Sequence, residues 1–292
     1  MSVDVALVTW RELPELDSDD RPLAAALRAR GHQVAIVAWD DAGFDWATAR
    51  LVLLRNPWDY YRRFDEFLAW AARVDAVASL WNPLAVLAWN LHKGYLVELA
   101  RAGVPVVPTE LVRRGSDFDL ASLVAHRGWR RGVAKPAVSA DSWETVAFDS
   151  GDLADAEAMI ERRLPERDLL VQPFLESVES DGERCLVFLD GAFSHAIRKN
   201  ALTRGGRWAG LPEGTPVAAD EDELAVAHRV LAAAGFADLL YARVDLVRDA
   251  AGRPLLLELE LAEPTLFLAD HPAGLERLLA GIERRLAARP PV

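Results

Sequence analysis

Apolar runs of strand length alternate along the chain with polar, turn-forming segments, and helical spacing fills several of the gaps between them. Val3 to Thr9, Gln33 to Ala38 and Leu51 to Arg55 predict short buried strands. Leu23 to Arg30, stopped by Gly31, predicts a helix between the first two. This is a βαβ-type opening. A second helix is expected over Tyr61 to Arg73. In "WNPLAVLAWNLHKGYLVELARAGVPVVPT" Pro83 starts one helix, Lys93 falls early in the next, and Gly103 ends that helix before a strand at "VPVV". The domain boundary is placed near residue 85.

Beyond it the order changes. Gly132 to Pro136, Thr145 to Phe148, Leu169 to Pro173, Glu183 to Leu189 and Gly191 to Arg198 read as strands, the last two joined by the hairpin signal "DG". Helices are expected at Leu153 to Leu164, Glu221 to Ala234 and Pro272 to Ala287. The pattern predicts an α/β domain over 1–85 followed by an α+β domain over 86–292.

Tyr241 to Arg248 and Pro254 to Leu261 predict a further hairpin, closed by "DAAGR". Strict alternation places Leu255, Leu257, Leu259 and Leu261 on one face and Glu258 and Glu260 on the other, with Asp245 opposite Glu258. Carboxylates crowded in this way repel one another unless solvent or a cation intervenes. A hard divalent ion shared with substrate phosphates is one solution, and a solvated amphipathic face is the other.

Composition narrows the function classes. With 292 residues, 51% hydrophobic and 27% charged, the chain suits about two globular domains. A formal net charge of −12 argues against a general nucleic-acid binder or a membrane-surface binder, both of which reward a basic face. Cys185 is the single cysteine, so neither an intrachain disulfide nor a multi-thiolate zinc site can form; it reads as a small core residue. The opening "MSVDVALVTW" lacks a basic n-region, and no apolar run reaches membrane-spanning length, so a cytoplasmic location is expected.

No G-x-x-x-x-G-K-[ST] occurs, and the first βα turn, "TWRELPELDSDD", contains no glycine, which disfavours the Walker and Rossmann phosphate sites. Two lysines offer another route to phosphate. Lys93 is flanked by apolar residues and Lys135 ends a buried strand before Pro136, settings in which lysine is rare unless paired. A snorkelling surface lysine is the alternative for each.

The order of these elements carries more than any one of them. A lysine, a lysine on a strand, "LLVQPFLE", the "GERCLVFLDG" hairpin, the arginine-bearing strand "SHAIRKN" and the acidic hairpin together resemble the ATP-grasp superfamily, and within it the glutathione-synthetase-like carboxylate–amine ligases. The resemblance spans roughly residues 82 to 268. It implies a Rossmann-like pre-ATP-grasp domain followed by an ATP-grasp domain whose two α+β subdomains, about 110–180 and 181–290, hold ATP between them. Lys93 and Lys135 then correspond to the lysines on the nucleotide phosphates. Gln172 to Leu175, including Phe174, correspond to the hinge that receives adenine, and Glu183 to a ribose ligand. Arg184 and Arg198 take the catalytic positions facing the transferred phosphate and the substrate carboxylate. Asp245, Glu258 and Glu260 take those of the ligands for Mg²⁺ or Mn²⁺, with Glu260 standing where the family carries Asn.

One departure stands out. The family's loop after the strand lysine is Gly-rich, whereas "KPAVSADSWET" has no glycine, leaving Ser139 and Ser142 as hydroxyl donors. Nearer the N-terminus, "TWRELPELDSDDRPL", "LRNPWDYYRRFDEF" and "WNPLAVLAWNLHKGYL" resemble segments of the O-ureido-D-serine cyclo-ligases, the ATP-grasp enzymes that close the ring of D-cycloserine. This implies that Arg55, Trp58, Asp59 and Tyr60 line the substrate side. Packing of Trp58 and Tyr60 at a domain interface, and an Arg55–Asp59 ion pair, are the alternatives.

The implied activity is an ADP-forming ligase. ATP phosphorylates a carboxylate, and an amine of the same or another molecule attacks the acyl phosphate, on a small amino-acid-like substrate; a cycloserine-type cyclisation falls within that scope. A lid over the site is expected at Ser139 to Thr145 and at Asn200 to Gly214. His195 reads as a strand histidine hydrogen-bonded within the sheet rather than as a general base. A kinase acting on a non-carboxylate acceptor and a nucleotide-binding module without turnover stay open, as does a homodimer.

Overall fold

The computed structural model describes residues 2–140, 142–199 and 214–288. Its first sheet is parallel, in the order β2-β1-β3-β4, built from β1 (Val3–Thr9), β2 (Val34–Ala38), β3 (Ala49–Leu54) and β4 (Ser79–Trp81). Strands buried on both faces need continuous apolar runs, and the interior of β1 supplies one in Val5, Ala6, Leu7 and Val8. Helices α1 (Arg21–Ala29) and α2 (Phe64–Asp75) accompany this sheet. Next come α3 (Leu84–Asn90) and α4 (Tyr95–Arg101), with Lys93 in the turn between them rather than inside a helix. The "VPVV" segment forms no strand, because prolines interrupt its ladder; Val106 makes only an isolated bridge to Leu256.

A second, antiparallel sheet has the order β5-β8-β6-β7, from β5 (Glu110–Val112), β6 (Arg131–Pro136), β7 (Val146–Asp149) and β8 (Leu169–Pro173), with α5 (Leu120–Arg127) and α6 (Ala154–Arg163). After the short α7 (Ser177–Ser180) the third sheet runs β11-β10-β9-β12-β13. It comprises β9 (Glu183–Leu189), β10 (Ala192–Lys199), β11 (Gly214–Val217), β12 (Tyr241–Arg248) and β13 (Pro254–Glu260). Asp190 and Gly191 turn the β9–β10 hairpin with positive φ at both positions, +53° and +76°.

Helix α8 (Glu221–Ala234) covers one face of the third sheet, where Leu186, Phe188, Val244 and Leu246 share a core with Ala227 and Val230. On the other face Val187, Leu189 and Tyr241 join α9 (Pro272–Ala288) and the β1 residues Val5 and Leu7 in a second core. That joint core fastens the last helix to the first sheet. The remaining end of this face is left to polar groups. No helix among the described residues is long and apolar enough to cross a membrane.

Candidate active site

Between the second and third sheets lies a cleft of about 480 Å³, within the usual range for a small-molecule site. One end is apolar, with Val133, Phe174, Leu175 and Leu257. The other carries Lys93, Lys135, Lys199, Arg243 and the acidic residues.

The hairpin pairs Asp245 directly with Glu258, and Arg243 with Glu260. Strict alternation fails, however, because the register shifts between Asp245 and Leu246 and a bulge at Leu257 interrupts it. Leu256 and Leu259 therefore enter the same core, while Leu257 turns to the cleft. The carboxylates are not left to a metal for neutralisation. Arg243 donates to Asp245 at 2.8 and 2.9 Å and also bonds Glu260, and Lys199 bridges Asp245 at 2.9 Å and Glu183 at 3.1 Å. Burial by itself raises the Asp245 carboxyl, but Arg243 and Lys199 outweigh it and hold it well below the usual carboxylate range. Neither cation stands among the residues singled out from sequence. Arg243 carried a readable signal, since it lies two positions from Asp245 on the same strand face.

Lys93 donates from Nζ to the Ser139 carbonyl at 2.6 Å and pairs with Glu258 at 3.0 Å. Burial pulls its pKa down, yet Glu258 more than compensates and raises it. Lys135 differs. Burial depresses its pKa, with Glu258 only partly offsetting, and it makes no carboxylate ion pair among the described residues. A desolvated ammonium of this kind is suited to receive an anion.

The Gly-poor loop adopts the backbone that glycine would favour, with φ of +55° at Ser142 and +52° at Glu144, and Arg163 clamps the Glu144 carboxylate at 2.5 and 2.6 Å. Ser139 Oγ donates to the Pro136 carbonyl, so it is engaged within the loop. Asp141 and the expected lid segment over 200–213 lie outside the described residues.

Gln172, Phe174 and Leu175 line the apolar end, where Arg131 stacks on Phe174 with its guanidinium carbon 4.0 Å from the ring centre. Glu183 faces the cleft. Arg184 and Arg198, read from sequence as the catalytic pair, do not. They are directly opposed across β9 and β10 on the α8 side of the sheet, and Arg184 grips the buried Glu223 of α8 with two 3.0 Å bonds. The alternation of a strand turns neighbouring residues to opposite faces, so Glu183 and Lys199 take the cleft and Arg184 and Arg198 leave it. His195 bonds the Leu266 carbonyl through Nε2 at 2.9 Å, away from the cleft lining.

The N-terminal group also divides. Trp58 and Tyr60 line the cleft. Arg55 is fully buried and pairs with Asp20 at 2.7 Å, not with Asp59, and donates to the Pro264 carbonyl at 2.7 Å. Asp59 accepts from Trp39 Nε1 and Arg63. Both act as struts outside the cleft lining.

The donor set suits a hard divalent cation, because Asp245, Glu258 and Glu260 offer only oxygens. Among the described residues Glu183, Cys185 and Asp245 also bring ligand atoms within 4.8 Å of one another, but burial raises the Cys185 thiol well above its ordinary pKa, leaving it a neutral, poor ligand for such an ion. Glu260 is pushed up to about 8 by burial, helped by Asp245 and Glu258 against the pull of Arg243. It therefore keeps its proton near neutrality, and coordination would expel it. Mg²⁺ binding should release protons near pH 7 and weaken as the pH falls below about 8, by up to roughly tenfold per unit. A Mg²⁺ titration in weak buffer followed with a pH electrode checks this; an affinity flat from about pH 6 to 9 removes Glu260 from the ligand set.

Comparison with known proteins bears on the whole chain. The family described as D-cycloserine synthetase DcsG, N-terminal domain, matches residues 5–82. The cycloserine biosynthesis protein DcsG of Streptomyces lavendulae is 37% identical over 97% of this chain and 98% of its own length. The crystal structure of D-cycloserine synthetase DcsG superposes with a TM-score of 0.89 at 36% identity, covering 97% of this chain and 99% of that one. D-alanine–D-alanine ligase from Bacillus anthracis shares the fold, with a TM-score of 0.66 at 11% identity and 98% coverage of both chains.

Proposed function

The chain belongs to the D-cycloserine synthetase family of ATP-grasp ligases, and from that premise we infer that it closes an amino-acid-like substrate onto its own amine in a cycloserine-type cyclisation. It is an ADP-forming carboxylate–amine ligase. The substrate carboxylate attacks the γ-phosphorus of ATP, ADP leaves, and an acyl phosphate forms. The amine then attacks the acyl carbon; the new C–N bond replaces the C–O bond, phosphate departs with that electron pair, and the amine proton passes to solvent.

No enzyme nucleophile is required, so this chain's task is to position and neutralise. Lys93 and Lys135 take the nucleotide phosphates, and the backbone from Gln172 to Leu175 takes adenine between the second and third sheets. Glu183, which lines the cleft, would hold the ribose. Arg243 and Lys199, rather than Arg184 and Arg198, present cations to the transferred phosphate. Asp245, Glu258 and Glu260 hold Mg²⁺, which when bound offsets charge on the phosphates. The organisation that accompanies this reading is a substrate-side domain over 1–85 and an ATP-grasp domain over 86–292.

The observation that carries the reading is Lys135, a desolvated ammonium in the cleft with no carboxylate ion pair among the described residues. The test is incubation with ATP, Mg²⁺ and the ring-opened form of D-cycloserine, a D-amino acid whose side chain ends in O–NH₂. ADP and D-cycloserine should appear in equal amounts and only with Mg²⁺. A stable phosphorylated product in place of the ring refutes ligation.

A further inference from the structure

The loop after Lys135 is a partition between the cleft and the first sheet. Ser139, Ser142 and Thr145 line the cleft, while Val138 and Trp143 pack on the aromatic core of the first sheet, which includes Tyr60 and Tyr61. Lys93 fastens the first half of the loop, donating from its backbone N–H to the Ala137 carbonyl at 2.8 Å and from Nζ to the Ser139 carbonyl at 2.6 Å. The second half is fastened differently. There Ser142 and Glu144 hold positive φ, a backbone that residues other than glycine keep only where the surroundings enforce it.

Trp143, between those two residues, supplies the enforcement. Its ring lies 4.9 Å from that of Tyr61, tilted by 37°, and the guanidinium carbons of Arg167 and Arg163 stand 4.8 and 5.3 Å from its centre. Both cations are anchored in turn. Arg167 donates to the Tyr61 carbonyl at 2.9 Å, and Arg163, on α6, holds the Glu144 carboxylate with two bonds. One indole thus joins the cleft loop to α6, to the connection that follows it, and to the segment 58–61, whose Trp58 and Tyr60 line the same cleft.

We propose that Trp143 is a positioning residue that latches the loop after Lys135 to the segment 58–61, and thereby keeps water from the acyl phosphate. This rests on the ligase reading above. Trp143 touches no substrate and acts through Ser142 and Thr145, the cleft-lining residues on either side of it. An acyl phosphate open to water is lost. Water attacks the acyl carbon, the C–O bond to phosphate breaks, phosphate leaves with that electron pair, and the protons of water pass to phosphate and solvent. The carboxylate is regenerated and one ATP is consumed without a ring. A Gly-rich loop loses conformational entropy each time it closes, whereas an indole docked among a phenol and two guanidinia holds a loop of ordinary residues in one place.

The test gives ATP, Mg²⁺ and the ring-opened form of D-cycloserine to the wild type, Trp143→Ala, Trp143→Phe and Arg167→Gln, and measures ADP and ring separately. Losing one ring contact and two cation–π contacts in Trp143→Ala should shift the loop toward its undocked state by about tenfold. ADP should then exceed the ring by about twofold or more, and oxygen from heavy-oxygen water should enter the carboxylate of the recovered open substrate, which direct hydrolysis of ATP cannot bring about. Trp143→Phe keeps an aromatic ring and should stay near equality. Arg167→Gln keeps the indole but loses one cation–π contact and the bond to the Tyr61 carbonyl, so it should move the ratio the same way by a smaller factor, and it decides the matter if Trp143→Ala does not fold. ADP and ring in equal amounts in both Trp143→Ala and Arg167→Gln, whatever their rates, overturn the latch. Absence of ADP release from the wild type refutes the ligase reading itself, and the latch with it.

Discussion

Replacing Lys135 by Met is expected to cost about 10³-fold in kcat/KM, the scale of removing one preorganised charge stabiliser, while leaving the ligand-free protein as stable as the wild type or about 1 kcal/mol more stable. The two effects have one cause. Burial disfavours the Lys135 ammonium, and no carboxylate ion pair among the described residues compensates for it, so its charge burdens the empty cleft and is repaid only when an anion arrives. Met keeps the length and the apolar contacts without the charge. Thermal scans with and without a non-hydrolysable ATP analogue separate the terms: the wild type should gain ~2.7 kcal/mol at a hundred times Kd, and the variant almost nothing at the same concentration. A variant less stable than the wild type when empty, or one that keeps its nucleotide shift, sinks the assignment.

Asp20→Ala should be the more damaging change for the fold. Asp20 accepts from Arg55 Nε at 2.7 Å and from Asn56 Nδ2 at 2.9 Å, and both charged partners are about 1% exposed or less. Removing the carboxylate leaves a guanidinium sealed from water, a loss of about 3–5 kcal/mol, or roughly 10 °C in melting temperature for a chain of this size. Arg55 also holds the Pro264 carbonyl, so the surviving folded protein should show a raised KM for the amino-acid substrate with KM for ATP spared. Adding Arg55→Leu should restore part of the stability, since the stranded charge goes, but not KM, since the strut goes too. A single-variant loss below about 1 kcal/mol would mean that water reaches the guanidinium and the pair is no strut.

Much of the architecture is legible along the chain. The strands Val3–Thr9, Leu169–Pro173, Glu183–Leu189 and Tyr241–Arg248 are readable as apolar runs, and α8 by its helical spacing. Five elements are not: β4, β5, α7 and β11, of three or four residues each, are too short for a period to appear, and α5, of eight residues, spans little more than two turns. The opposition of Asp245 and Glu258 can be counted from the turn, but the bulge at Leu257 cannot, because it depends on which leucine the core accepts. His195 is hydrogen-bonded, but to the Leu266 carbonyl in the segment after β13 rather than within the sheet, a partner that strand periodicity does not show.

The sequence by itself determined the family and the order of its elements, and brought Lys93, Lys135 and the acidic hairpin into one plan, because local periodicity and turn chemistry act over a few residues at a time. Only the tertiary structure decided which cations meet those carboxylates. A one-position difference along β9 and β10 moves a side chain to the opposite face of the sheet, so Lys199 enters the cleft while Arg198 leaves it. Partners remote along the chain, such as Lys93 with Glu258 or Arg55 with the Pro264 carbonyl, leave no local pattern to read. Their pairing follows from how buried charges must be satisfied once the sheets have packed.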